Sequence, residues 1–249
     1  MLQHGLTDSS DCWFSNGQGS VGFHMANQGY DVWVGNNRGN KYSKTYNNPN
    51  ITDQEFYNYS FTELGTMDQP AFFNRILSQY SDANTQVYYF GHSQGTSQMF
   101  VALMDPKTRD FFNKKVKRFF ALAPIAYLSD VTEFGLKWLT KFRAIIDDAA
   151  KLFHVYVLEE AGCTKNNEWQ QAKDYTCKKI GFLCDIDDSF PDEFIKTNPS
   201  NSALGHKNAK IHEPSGSSAK CFDHYAQIIN GGAGNTPIFR PFDYGWFEN

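Results

Sequence analysis

Apolar and polar positions in the first half of the chain switch repeatedly between strand-like alternation and helical spacing. From Met1 to about Asp130, short β-rich runs take turns with helical ones, the order expected of a parallel sheet covered by helices. Tyr30-Asp31-Val32-Trp33-Val34 reads as a strand stopped at Gly35, Gln86-Val87-Tyr88-Tyr89-Phe90 as a second, and Lys117 to Ala123 as a third, ended by Pro124. Between them, Thr66 reads as an N-cap before Met67, with Pro70 tolerated in the first turn. Phe72, Phe73, Ile76, Leu77 and Tyr80 then fall on one helical face. Beyond Asp130 the texture changes. Phe134, Trp138, Phe142, Ile145, Ala149 and Leu152 mark a long amphipathic helix with no strand behind it, followed by cysteine-containing segments and a Gly, Ser, Pro and Asn-rich stretch from Asn198 to Ser218. The pattern predicts a partial α/β core over residues 1–130 and a mostly helical cap or lid over residues 131–249.

The strongest chemical signal sits between the second strand and the helical run Thr96 to Leu103. Gly91-His92-Ser93-Gln94-Gly95 has the form of a nucleophile elbow, a strained strand-to-helix turn that lifts a serine hydroxyl. Gly91 and Gly95 let the backbone close without Cβ clashes, and the helix that follows points unpaired N–H groups at the place where an oxyanion would form. The N–H of Gln94 is the first candidate oxyanion donor. Leu2-Gln3-His4-Gly5-Leu6 supplies the second, a strand end and His-Gly turn that would present the N–H of Leu6. His92 reads as a packing or hydrogen-bonding residue of the turn. The remaining triad members are harder to find. His154, His206, His212 and His224 follow Ser93 but all lie in the predicted cap, and Asp130 with His224 would satisfy the order serine, acid, histidine.

Composition narrows the partners. Lys and Arg total 23 against 27 Asp and Glu, a formal charge of -4, and no basic block tracks a phosphate backbone, so a nucleic-acid partner is not expected. No apolar run approaches the length of a bilayer span, and the N-terminus lacks a signal peptide's basic and apolar regions. The five cysteines, Cys12, Cys163, Cys177, Cys184 and Cys221, leave at least one unpaired and have no zinc-type spacing. Asn50-Ile51-Thr52 and Asn58-Tyr59-Ser60 are glycosylation acceptors if the chain enters the secretory route.

Several blocks together resemble the acid lipases, the family of gastric and lysosomal acid lipases. They are Leu2-Gln3-His4-Gly5-Leu6 with Asp8-Ser9-Ser10 and Trp13, then Gly29 to Asn36 with Arg38-Gly39-Asn40, and Phe61 with Asp68 and Pro70. The elbow with Thr96, and Ala121-Leu122-Ala123-Pro124, complete the specific part. A looser match runs from Pro214 through His224-Tyr225 to Gly245. The resemblance implies an α/β-hydrolase with a helical cap that cleaves triacylglycerols or steryl esters. It implies Ser93 as nucleophile, Leu6 and Gln94 as oxyanion donors, no metal or cofactor, a lipid interface as partner and a secreted or lysosomal location. In the family the catalytic Asp and His follow the return of the chain from the cap to the sheet. The resemblance therefore implies that these 249 residues correspond to the middle of an acid lipase, without its export signal, opening strands or catalytic Asp and His. Asp130 falls where the family has no catalytic carboxylate. Cys163, Cys177 and Cys184 lie in the region of the family's cap disulfide. Little activity is expected of the polypeptide alone, and a catalytically dead lipid- or partner-binding protein is the alternative.

Overall fold

A computed structural model describes residues 1–128, 156–160, 212, 214–231 and 238–243. The expected helix from Phe134 to Leu152, together with Asp130, His154, His206, Cys163, Cys177 and Cys184, lies outside the described residues. Four parallel strands form a sheet in the order β2-β1-β3-β4, with β1 at Leu2–Gln3, β2 at Val34–Gly35, β3 at Val87–His92 and β4 at Val116–Leu122. β1 is paired on both sides, Leu2 against Val34 and Phe90, and Gln3 against Gly35 and Gly91. A two-stranded antiparallel sheet joins β5 at Val157–Glu160 to β6 at Ser215–Ser218.

Seven α-helices lie among the described residues: α1 Val21–Asn27, α2 Asp53–Phe56, α3 Phe61–Glu63, α4 Gln69–Leu77, α5 Gln94–Met104, α6 Arg109–Lys115 and α7 Ala219–Asn230. Along β3 the residues alternate, with Val87, Tyr89 and Gly91 buried and Tyr88 and His92 exposed. Val87 and Tyr89 pack with Phe73 and Ile76 of α4, Met99 and Ala102 of α5 and Phe112 of α6. A second cluster of Phe61, Tyr225 and Ile228 ties α7 to the core beside α5, with Leu6, Val101 and Phe239 around it. The opposite sheet face carries a cavity of about 690 Å³ lined in part by Tyr30, Trp33, Tyr88, Phe90 and Phe120.

Two elements differ from the sequence reading. The run from Tyr30 to Val34 is extended, but only Val34–Gly35 is paired, because its neighbour β1 meets it through Leu2 and Gln3 alone. The helix predicted to start at Thr66 starts earlier. Ser60 caps α3 in a reciprocal capping box with Glu63, and helical geometry runs on through a π-turn at Leu64–Asp68 into α4. Thr66 turns its hydroxyl onto the Thr62 carbonyl 2.9 Å away, as a residue inside a helix does. The wide turn fits the proline that follows, since Pro70 has no N–H to donate and its ring crowds the carbonyl one turn back.

α5 is seated unusually close to the sheet. A Cβ at Gly95 would lie 2.6 Å from the Gln3 carbonyl oxygen and 2.9 Å from that of His4, and one at Gly91 would lie 2.7 Å from the Gly95 carbonyl. Gly95→Ala is expected to cost at least about 2 kcal/mol of folding stability in urea melts. Gly19→Ala, where a Cβ meets nothing within 4 Å, should stay within about 0.5 kcal/mol of the parent. Equal stability of the two variants would contradict the seating.

Candidate active site

Ser93 occupies the turn between β3 and α5 with φ 51° and ψ -118°, a left-handed conformation that a residue with a Cβ adopts only under constraint. The constraints are visible. Its N–H donates to the Leu122 carbonyl of β4 at 2.9 Å, and its own carbonyl accepts from the Thr96 N–H at 2.9 Å and the Thr96 hydroxyl at 2.6 Å. The Ile125 N–H donates in turn to the Thr96 hydroxyl at 2.9 Å, so Thr96 locks the elbow to the loop after β4. Below it, the buried Tyr89 hydroxyl donates to the Gly95 carbonyl at 2.8 Å. Ser93 holds the N-cap position of α5, yet its side chain caps nothing. Among the described residues no side chain hydrogen-bonds its hydroxyl, which leaves the hydroxyl free at the positive end of an eleven-residue helix.

The His-Gly turn arrives from β1. A Cβ on Gly5 would lie 3.1 Å from the Ser93 Cβ, a tight contact that glycine avoids. Leu6 follows, half-buried between the two smaller apolar clusters, and Thr7 takes φ 55°. The Thr7 carbonyl accepts from the Ser215 N–H at 2.6 Å, while the Ser215 carbonyl accepts from the Lys41 N–H at 2.8 Å. The segment from β6 thus clasps the loop that carries Leu6. Gln94, the first residue of α5, is buried. Neither its N–H nor that of Leu6 is consumed by a backbone bond among the described residues.

The histidines separate into distinct environments. His92 is exposed on the elbow. His212 places Nδ1 3.1 Å from the Asp11 carboxylate and 3.2 Å from the Lys41 ammonium. Lys41, 2.7 Å from Asp11, and the Tyr42 hydroxyl complete that cluster. His224 has no exposed surface. It stacks on Phe61 at 3.8 Å and bonds through Nε2 to the Arg240 carbonyl at 2.9 Å, with Nδ1 unpaired among the described residues. None of these rings bonds Ser93. Cys221 is a buried thiol whose ionisation burial pushes far up, which makes it a packing residue. Among the described residues no cluster of His, Cys, Asp and Glu fits a metal ion.

Sequence reasoning missed the polar layer behind the His-Gly turn. Gln3 Nε2 donates to Asn37 Oδ1 at 2.9 Å, Asn40 Nδ2 donates to Asn36 Oδ1 at 2.9 Å, and Gln69 Nε2 reaches both Gln3 and Gln98. Arg38, beside them, pairs with Asp68 through Nε at 2.7 Å. The signal for it was the polar run Asn36-Asn37-Arg38-Gly39-Asn40 directly after an apolar strand.

The chain matches the family profile described as alpha/beta hydrolase fold over residues 1–227. It is 32% identical over 251 residues to lipase member M of Mus musculus, covering 98% of this chain and 54% of that protein. With gastric triacylglycerol lipase of Rattus norvegicus it shares 32% identity over 256 residues, covering 98% of this chain and 58% of that protein. Lysosomal acid lipase/cholesteryl ester hydrolase of Homo sapiens is 41% identical over 133 residues, 53% of this chain and 32% of that protein.

Two outcomes follow from the geometry. Ser93→Gly relieves the left-handed strain and Ser93→Ala does not, so the glycine variant should melt higher, by about 1 kcal/mol; equal melting would contradict a strained elbow. His224 is pushed down to about 4, chiefly by burial, with the Arg240 carbonyl opposing. The unfolded chain binds this proton near its ordinary value of about 6.5. Stability should therefore be full above that pH, decline as pH falls towards about 4 and level off below. His224→Phe, which keeps the ring stack, should make the decline shallower in thermal melts; an unchanged slope would assign the acid sensitivity elsewhere.

Proposed function

We propose, from the premise that the chain belongs to the alpha/beta hydrolase fold family, that it is the nucleophile-bearing part of a carboxylic ester hydrolase acting on neutral lipids. In this reading Ser93 attacks the ester carbonyl, the N–H groups of Leu6 and Gln94 stabilise the tetrahedral oxyanion, and water clears the acyl-enzyme. One observation carries it above the others. A serine hydroxyl with no hydrogen-bond partner among the described residues stands on a strained turn at a helix N-terminus, with the Gly5 loop close against its Cβ. A serine placed there for packing would cap its helix; this one does not.

Relatives named for triacylglycerol and cholesteryl ester support a neutral lipid ester as the substrate class, and those named gastric and lysosomal support a secretory route. Among the described residues no helix is long and apolar enough to cross a membrane. The chain spans 54% and 58% of the length of two curated relatives that each match 98% of it. Among the described residues no histidine hydrogen-bonds Ser93.

The test is covalent labelling with a fluorophosphonate, located by peptide mass spectrometry. Modification is expected on Ser93, absent in Ser93→Ala and prevented by a competing long-chain ester. A protein in which Ser93 stays unlabelled would instead be the non-catalytic lipid- or partner-binding reading.

A further inference from the structure

His4 is a buried, titratable side chain that the acyl-transfer reading leaves without a task. It is 2% exposed and lies at the end of β1, one residue before the glycine that touches Ser93. Both ring nitrogens are engaged. Nδ1 lies 2.8 Å from the Gly5 carbonyl oxygen, which can only accept, so Nδ1 carries the hydrogen. Nε2 lies 3.1 Å from the Asn37 N–H and 3.4 Å from Asn40 Nδ2, both donors, so Nε2 must be a bare acceptor. The partners fix one neutral tautomer, and a second proton would set Nε2–H against the Asn37 N–H. With no nitrogen to spare, His4 is not the general base.

The carbonyl that His4 grips belongs to the same peptide unit as the N–H of Leu6. That unit is planar and trans, so its C=O and N–H point in opposite directions. Anchoring the Gly5 oxygen on the imidazole therefore fixes the heading of the Leu6 N–H, which glycine's freedom at residue 5 would otherwise leave loose. The ring is itself held from β2's side, since Asn40 is tied to Asn36 and Asn37 to Gln3. We propose that His4 is a positioning residue of the acyl-transfer site, aiming the Leu6 N–H at the oxyanion through its Nδ1–H bond to the Gly5 carbonyl. The inference rests on Ser93 being the nucleophile.

Burial disfavours the charged ring. Desolvation pushes its pKa down, the field of Asp8 and the Gly5 bond oppose this, and nearby His92 adds to it. Desolvation thus acts in the same direction as the two donors at Nε2, against a second proton on the ring.

The test uses two variants and one measurement on the unsubstituted protein. Asn at position 4 places an amide N–H near the Nδ1 position, and Gln places its amide near the Nε2 position. His4→Asn should label at Ser93 with fluorophosphonate within about threefold of the parent rate, whereas His4→Gln should slow by at least about tenfold, part of the 10² to 10³ that a lost oxyanion donor costs. ¹⁵N-histidine NMR of the parent should show His4 protonated on Nδ1 only, unchanged from pH 7 to pH 5. Labelling of His4→Gln at the parent rate would overturn the proposal, as would equal slowing of both variants or an Nε2–H or cationic His4 in the NMR spectrum. An unlabelled parent with the expected His4 spectrum would overturn the Ser93 reading itself, and is thereby told apart from a failure of the brace.

Discussion

The close contact between the first turn of α5 and the end of β1 is the constraint on which the site depends. Gly95 has no Cβ, so α5 settles onto the carbonyls of Gln3 and His4. That seating brings the β1 loop to within contact of Ser93 and leaves the turn between β3 and α5 too short for ordinary backbone angles. The strain at Ser93 follows from the tight seating, and hydrogen bonds to the Leu122 carbonyl and from Thr96 and Tyr89 hold the strained turn in place. A serine at φ 51° would relax within a looser frame. Here its N–H and C=O are both committed elsewhere, and among the described residues the hydroxyl has no hydrogen-bond partner.

A second requirement is the polar layer under the strand ends. Gln3, His4, Asn37, Asn40, Gln69 and Gln98 are buried side by side, where unpaired polar atoms would each cost about 1 to 3 kcal/mol. They satisfy most of one another's donors and acceptors instead. Such a network specifies one arrangement of the loops it supports, because a shift of any member orphans its neighbours. The loop bearing Leu6 is held from two directions, by His4 within and by the Ser215 N–H on the Thr7 carbonyl without. Residues more than two hundred positions apart in sequence thus meet at one strained turn. The ordering of this loop is linked to the docking of β6 and α7 onto the core.

The parts of this site that were legible in the sequence are local ones. Strand, Gly-x-Ser-x-Gly and helix are contiguous, and alternation along β3 gives way to helical spacing in α5 within a few residues. The helix start was misplaced at Thr66 although Ser60 and Glu63 already spelled a capping box, because a π-turn ahead of Pro70 shifts the apolar phase and hides the continuity. The pairing extent of β2 depends on how much of β1 faces it, which periodicity within β2 does not record. The role of the His4 ring was illegible for the same reason. Its partners Asn37 and Asn40 lie 33 and 36 residues away, and only the fold brings them to opposite sides of one imidazole from the Gly5 carbonyl.

The central claim is that the Ser93 hydroxyl faces two main-chain donors arranged to receive negative charge. A crystal structure of the phosphonylated protein tests this most directly, since the adduct carries an oxygen where the tetrahedral oxyanion would sit. The account predicts that oxygen on Ser93 Oγ's adduct within about 2.7 to 3.1 Å of both the Leu6 and the Gln94 nitrogen atoms. A phosphonyl oxygen turned to solvent, with either N–H directed elsewhere, would contradict it.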